Sequence, residues 1–117
     1  MAQVSPILRI WTDAAGTRRV LYWCPGCEEA HHVPVNRPGG DRPNWSFDEN
    51  FEAPTLFPSV RHFYPANRDQ PERTLCHYFI KEGQIQFCGD CIHGLNGQTV
   101  PLPPLPPPDK YGYPDED

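Results

Sequence analysis

Five cysteines are the residues of this sequence whose type and spacing indicate chemistry. Cys24 and Cys27 enclose Pro-Gly, and Cys88 and Cys91 enclose Gly-Asp, so the chain carries two Cys-X-X-Cys turns, each after a predicted strand. Two such turns bring four thiolates into the tetrahedral arrangement that Zn²⁺ prefers. An odd number of cysteines does not fit a closed set of disulfides. We therefore predict a structural zinc ion bound by Cys24, Cys27, Cys88 and Cys91.

Two more residues compete for the fourth position of this zinc site. Cys76 begins a predicted hairpin whose register places it beside the second Cys-X-X-Cys turn, and His93 follows Cys91 by two residues. A closed structural zinc site takes only four ligands. The fourth ligand therefore stays open between Cys88, Cys76 and His93.

The familiar signatures of catalysis are missing from the sequence. A zinc deaminase needs a histidine followed two residues later by glutamate, and neither His31 nor His77 has one. The sequence also has no His-Glu-X-X-His helix, no Gly-X-Ser-X-Gly turn and no glycine-rich phosphate loop. On this basis we predict a non-enzymatic protein without catalytic residues.

Composition and residue patterns predict a small β-rich fold. The chain has 117 residues, of which 38% are hydrophobic, with 16 prolines and 9 glycines. Its hydrophobic core is therefore small and needs an additional stabilising element such as a bound metal. Runs rich in β-branched and aromatic residues predict short strands over 7–11, 18–23 and 31–35. We expect a zinc-stapled, zinc-ribbon-like domain of short antiparallel strands with little helix.

The clearest local prediction is a hairpin over residues 76–88. Glu82 and Gly83 suit a two-residue turn, which sets the pairing of the two strands. This turn pairs Ile80 with Ile85, and it brings the Cys76 end of the hairpin beside the segment that follows residue 87.

Charge and hydropathy exclude two classes of partner. Ten basic residues against fifteen acidic ones give a net charge of −5, which argues against nucleic acid. No apolar run approaches the ~18–20 residues of a membrane helix, and the N-terminus lacks a signal-peptide pattern. We expect no membrane partner, no secretion by a signal peptide and a cytoplasmic location.

The composition changes abruptly at residue 101. Residues 101–108 include six prolines, which favour an extended polyproline II conformation, and an acidic segment follows over 109–117. We therefore divide the chain into a metal-binding domain, residues 1–100, and a polyproline-acidic tail, residues 101–117. The tail is the part expected to contact a protein partner.

Four ordered motifs carry a resemblance that covers about residues 20–102. They are Cys-Pro-Gly-Cys at 24–27, Cys-His-Tyr-Phe-Ile at 76–80, Asp-Cys-Ile-His at 90–93 and Gly-Gln-Thr-Val at 97–100. Together they resemble a family of small zinc-ribbon-like proteins of unknown function encoded by phages and prophages. Some relatives carry the label "ammonia monooxygenase", which is a membrane complex and finds no physical support in this chain. The resemblance implies that Cys88 is a local addition and that Cys76 or His93 completes the site.

These observations together predict a non-enzymatic zinc-binding structural or interaction protein of phage origin. It is expected to act in an assembly such as a virion, as a capsid or tail accessory protein, through residues 101–117. Its expected location is the host cytoplasm or the virion. The alternatives are a small host-directed inhibitor and a zinc-dependent enzyme of unknown substrate.

Overall fold

The protein is described by a computed structural model that covers residues 2–107. Within these residues the chain forms nine strands and one 3₁₀ turn. The strands are β1 (Ala2–Gln3), β2 (Arg9–Thr12), β3 (Arg18–Cys24), β4 (Glu29–Pro34), β5 (Ser46–Phe47), β6 (Leu56–Tyr64), β7 (Arg73–Lys81), β8 (Gln84–Phe87) and β9 (Thr99–Pro101), and the 3₁₀ turn is Pro38–Gly40. The prediction of a small β-rich fold with antiparallel strands and almost no helix is confirmed. The zinc-ribbon likeness remains a prediction.

The strands form two antiparallel sheets. The first has the order β1-β2-β3-β4 and the second the order β5-β6-β7-β8-β9. In the first sheet, the turn between β2 and β3 is closed by Asp13, whose carboxylate accepts hydrogen bonds from the amides of Ala15 and Thr17. Gly16 in this turn has a φ of 82°, which suits glycine. In each sheet, every strand therefore pairs with the strands next to it in sequence.

The predicted hairpin forms the centre of the second sheet. Ile80 pairs with Ile85 and Tyr78 with Phe87, as the turn chemistry predicts. Glu82 and Gly83 both have positive φ, 50° and 79°, the conformation that a primed two-residue turn requires. The register of β7 and β8 is therefore confirmed.

Both sheets contribute side chains to one hydrophobic core. The first sheet and its flanks supply Leu8, Val20, Tyr22, Cys24, Val33 and Val35, and the second supplies Phe47, Leu56, Val60, Cys76, Tyr78, Ile80, Ile85 and Phe87. The hydroxyl groups of Tyr22 and Tyr78 lie 2.6 Å apart inside this core and join the two sheets by a hydrogen bond. Buried hydroxyl groups need such a partner, so this bond favours one packing of the sheets.

Strand β6 contains a bulge that bears on the functional site. Leu56 pairs with Ile80 and Val60 with Tyr78, so residues 57–59 of β6 lie opposite Phe79 alone. Bulges bend a strand and re-aim its side chains, and they accept a proline such as Pro58, which has no amide hydrogen for the ladder. The bulge ends at Ser59.

The chain keeps contact with the two sheets after residue 100. Leu102 is buried in the core, and the amide of Leu105 donates a hydrogen bond to the carbonyl of Pro6 at 2.8 Å. The predicted tail, residues 101–117, falls partly on residues 108–117, which lie outside the described part of the chain. Its separate role stays a prediction. Over residues 2–107, no helix has the length and hydrophobicity needed to cross a membrane.

Candidate active site and metal centre

Three polar side chains, two on the second sheet and one in the turn after β8, form a continuous hydrogen-bonded chain. The hydroxyl oxygen of Ser59 lies 3.0 Å from Nε2 of His77. On the other side of the ring, Nδ1 of His77 lies 3.2 Å from Oδ1 and 3.3 Å from Oδ2 of Asp90. A hydroxyl, an imidazole and a carboxylate in this order form the arrangement in which a serine is activated as a nucleophile.

The register of β6 and β7 explains why Ser59 and His77 meet. Arg61 of β6 pairs directly with His77 of β7, so their side chains share one face of the sheet. Side chains alternate along a strand, and Ser59 precedes Arg61 by two residues. Ser59 is therefore the diagonal neighbour of His77 on that face, at the end of the bulge.

The turn after β8 supplies the third side chain. The amide of Cys88 donates to the carbonyl of His77 at 2.8 Å, so the chain continues beside β7 after the regular pairing ends. Asp90 follows two residues later and turns its carboxylate toward the His77 ring. The second Cys-X-X-Cys turn therefore places Asp90 beside His77.

Cys91, a predicted metal ligand, instead contacts the backbone of His77. Its sulfur accepts a hydrogen bond from the His77 amide at 3.2 Å and donates one to the His77 carbonyl at 3.1 Å. The side chain is buried, with 7% of its surface exposed. These two bonds hold the strand at the point from which the imidazole projects.

Substitution of Cys91 separates this backbone role from a metal-binding role. Loss of two hydrogen bonds in Cys91→Ala should lower the free energy of unfolding by about 1–3 kcal/mol. Cys91→Ser is the matched control, because a hydroxyl can also accept and donate. Denaturant unfolding should show the loss of stability in Cys91→Ala. Elemental analysis should show unchanged metal content in both variants, and loss of metal from both would make Cys91 a ligand.

Two surface grooves are lined by residues close to Ser59 in the chain. The indole nitrogen of Trp45 donates to the carbonyl of Ser59 at 3.1 Å, and Trp45 also lines a groove of about 670 Å³ with Arg42 and Pro58. Phe57 and Phe79 line a second, apolar groove of about 410 Å³. Phe57 is 68% exposed, which is unusual for so large an apolar side chain. Two residues that directly precede Ser59, Phe57 and Pro58, thus each line a concave surface.

A separate group of cysteine and histidine residues lies where the two sheets meet. Ligand atoms of Cys24, Cys27, Cys76 and His93 all lie within 4.8 Å of one another, close enough to hold a metal ion. The sulfurs of Cys24 and Cys76 are 3.9 Å apart, and Nε2 of His93 is 3.3 Å from the sulfur of Cys76. Cys24 ends β3 of the first sheet and Cys76 lies on β7 of the second. We call this group the Cys₃His cluster.

The backbone around the Cys₃His cluster fits such a site closely. The amide of Cys27 donates to the sulfur of Cys24 at 3.3 Å, as expected for a Cys-X-X-Cys turn. A Cβ on Gly26 would overlap the imidazole ring of His93, so a larger residue there would displace this ring. The amide of Leu95 donates a hydrogen bond to Nδ1 of His93 at 3.2 Å.

The thiols of the cluster compete for ionisation when no cation is present. A hydrogen bond from Cys76 lowers the pKa of Cys24, and the same contact raises the pKa of Cys76. Burial, and then the charge of Cys24, raises the pKa of Cys27. A divalent cation would stabilise all three thiolates together, so the donor set suits a metal ion.

Two histidines pack beside the cluster. The rings of His31 and His62 stack with centroids 3.9 Å apart, and Nε2 of His62 lies 3.0 Å from the hydroxyl of Tyr78. Burial, assisted by repulsion from His31, lowers the pKa of His62 to about 4. This ring is therefore neutral at neutral pH and extends the hydrogen bond between Tyr22 and Tyr78.

The structure divides the predicted ligands into two places. Cys24 and Cys27 lie together with Cys76 and His93, the two residues that the sequence left open for the fourth position. Cys88 and Cys91 lie beside His77, outside this group. Sequence reasoning placed both Cys-X-X-Cys turns in one zinc site and left only the Cys88 position open to Cys76 or His93, and it did not identify Ser59, His77 or Asp90 as a catalytic set.

Comparison with known proteins adds one match. The family model described as "Bacterial ubiquitination-like system serine protease (BubE)" matches residues 3–88. No curated protein and no solved structure matches the chain. The matched range includes Ser59 and His77 and ends two residues before Asp90.

This match corrects three expectations drawn from the sequence. The family is described as a serine protease, which contradicts a non-enzymatic protein, a phage structural role and a place in the virion. The absence of a Gly-X-Ser-X-Gly turn misled the prediction, because strand pairing can assemble a serine, a histidine and an aspartate that are distant in sequence. Since the family model spans most of the 117 residues, the chain belongs to the BubE family.

Proposed function

We propose that this protein is a serine protease acting in a bacterial ubiquitination-like system, with Ser59, His77 and Asp90 as its catalytic triad. The observation that carries the proposal is the hydrogen-bonded chain Ser59–His77–Asp90, at 3.0 and 3.2 Å. Family membership supports the same reaction class. Besides Ser59, the only serines of the chain are Ser5 and Ser46.

The geometry gives each residue of the triad a role. Ser59 Oγ attacks the scissile carbonyl carbon while Nε2 of His77 takes the hydroxyl proton. Asp90 accepts the Nδ1 hydrogen of His77 and stabilises the imidazolium that forms. The C–N bond then breaks as His77 returns the proton to the leaving amine. Water, deprotonated by the same imidazole, hydrolyses the acyl-enzyme and regenerates Ser59.

The surroundings of Ser59 suit a polypeptide substrate. Side-chain exposure is 26% for His77 and 49% for Asp90, so the triad lies at the surface and not in a deep cavity. The grooves lined by Trp45 and by Phe57 offer concave surface near Ser59 for an extended segment. A segment of a ubiquitin-like protein, or of its conjugate, is the substrate that the family description suggests.

The same proposal assigns Zn²⁺ to the Cys₃His cluster. Cys24, Cys27, Cys76 and His93 would supply four ligands of the kinds that zinc prefers and leave no position open for a substrate. Zinc would therefore supply structural stabilisation by joining the two sheets. Cys76 and His77 are adjacent on β7, so this anchor also fixes the strand that carries the general base.

A fluorophosphonate probe tests the proposed protease directly. The probe forms a covalent bond to an activated serine hydroxyl, so the full chain should be labelled, and peptide mass spectrometry should place the label on Ser59. His77→Ala should lower the labelling rate by a factor on the order of 10³ or more, because the base is gone. Labelling of Ser5 or Ser46 at the same rate as Ser59 would contradict the proposal.

A further inference from the structure

A second metal-binding group overlaps the proposed triad. Ligand atoms of His77, Cys88 and Asp90 all lie within 4.8 Å of one another. His77 and Cys88 are half-buried and Asp90 is exposed, so a dissolved ion can reach the group. None of the three belongs to the Cys₃His cluster. Cys88 has no part in the proposed reaction, which leaves its thiol unexplained beside Asp90.

The donor atoms select the kind of ion. A nitrogen, a sulfur and a carboxylate oxygen suit a borderline-soft cation such as Zn²⁺, whereas Mg²⁺ prefers a shell of oxygen ligands. Three protein ligands leave a fourth position for water, which is typical of an open and exchangeable zinc site. The group therefore differs in kind from the closed Cys₃His cluster.

Occupancy of this group is incompatible with the triad. Nδ1 of His77 is the ring nitrogen that faces Asp90, at 3.2 Å. Metal binding at Nδ1 of a neutral imidazole places the remaining ring proton on Nε2, which faces the Ser59 hydroxyl at 3.0 Å. Nε2 can then no longer take the proton of Ser59. The thiol proton of Cys88 is released to solvent as the thiolate binds the ion.

We propose that His77, Cys88 and Asp90 form an inhibitory Zn²⁺ site that switches the protease off reversibly. This inference rests on the proposed function, because inhibition requires that His77 be the general base. Zinc would act without entering the grooves beside Ser59, by converting the base into a zinc ligand. Binding and release of free zinc would thereby regulate the enzyme. Cys88 is the one ligand of this site that lies outside the proposed triad.

The test uses the purified full chain with its tightly bound metal retained. Buffered free Zn²⁺ is added, and two rates are measured by peptide mass spectrometry: alkylation of Cys88 by iodoacetamide and labelling of Ser59 by a fluorophosphonate. Both rates should fall at least about tenfold at saturating zinc, in parallel with the binding of one additional zinc per chain. Mg²⁺ at the same concentration should change neither rate.

Cys88→Ala provides the second arm of the test. Each variant's labelling rate is compared with its own rate without added zinc. Removal of one ligand should weaken zinc inhibition by about tenfold or more, since even loss of an outer-shell partner has an effect of this size. Equal zinc sensitivity of the wild type and Cys88→Ala, or zinc binding that leaves Cys88 alkylation unchanged, would overturn the inference.

The two proposals fail in different ways. If Ser59 is not labelled in zinc-free buffer, the protease assignment fails, while protection of Cys88 by zinc would still establish the binding site. If Ser59 is labelled and zinc changes nothing, the inhibitory site alone fails.

Discussion

Ser59→Ala should abolish proteolysis while leaving the fold intact. Turnover of a ubiquitin-like protein fused to a reporter should fall by a factor on the order of 10⁴ or more, as it does when a triad nucleophile is removed. Ser59 contributes its carbonyl, not its side chain, to the contact with Trp45. Thermal unfolding and metal content should therefore remain close to those of the wild type.

Ser46→Ala is the matched control for this substitution. Ser46 is exposed on the short strand β5, in the same sheet as Ser59. Its removal should leave turnover within about twofold of the wild type, because surface substitutions away from special features have small effects. Ser59→Ala that retains a tenth of the wild-type rate would show that another group is the nucleophile.

Asp90→Asn extends the same experiment to the third residue. The amide cannot stabilise the imidazolium, and it presents the wrong partner to Nδ1 of His77. Because Asp90 is 49% exposed, water can replace part of its effect, and the loss should be smaller than for Ser59→Ala. A graded series, with Ser59→Ala below Asp90→Asn below the wild type, is the expected kinetic result.

Local sequence patterns determine much of this fold. The pairing of Ile80 with Ile85 follows from the turn at Glu82 and Gly83, because a two-residue turn allows one register. Pro58 lies in the bulge of β6, a position in which proline is tolerated. These features depend on residues that are close in sequence, so they can be predicted without the rest of the chain.

The proposed catalytic set depends on information that local patterns do not contain. Ser59 and His77 become neighbours only through the register of β6 with β7, across a long connection. The size of the bulge decides which residue of β6 lies diagonal to His77, and tertiary packing fixes that size. A useful signal was present nonetheless, because Ser59, His77 and Asp90 complete a triad once the two strands are paired.

The separation of the two Cys-X-X-Cys turns into different places also depends on tertiary packing. Spacing alone does not show that Cys24 and Cys76 end up 3.9 Å apart in the core. The turn at 88–91 lies beside β7, beyond the end of β8, where Cys88 and Cys91 contact the His77 backbone. Neighbouring positions on one strand therefore belong to two different sites, with Cys76 in the cluster and His77 in the triad.

Removal of the metal from the Cys₃His cluster should unfold the protein. A structural zinc site contributes about 10–16 kcal/mol in small metal-binding domains, which equals or exceeds the whole stability of a typical domain, about 5–15 kcal/mol. The cluster joins β3 of the first sheet to β7 of the second, so its loss removes a link across the core. Circular dichroism during titration with a strong chelator should show loss of β structure together with loss of zinc.

Cys76→Ser and Cys88→Ser form a matched pair for this prediction. Cys76 is fully buried in the cluster, so Cys76→Ser should lose zinc and fail to fold at 37 °C, whereas Cys88→Ser should keep both its zinc and its fold. Elemental analysis should find one zinc per chain in the wild type and in Cys88→Ser after dialysis against zinc-free buffer. Wild-type protein that is folded yet holds less than about half an equivalent of zinc would show that the cluster is not a structural metal site. Zinc loss from Cys88→Ser with retention in Cys76→Ser would instead restore the ligand set predicted from spacing alone.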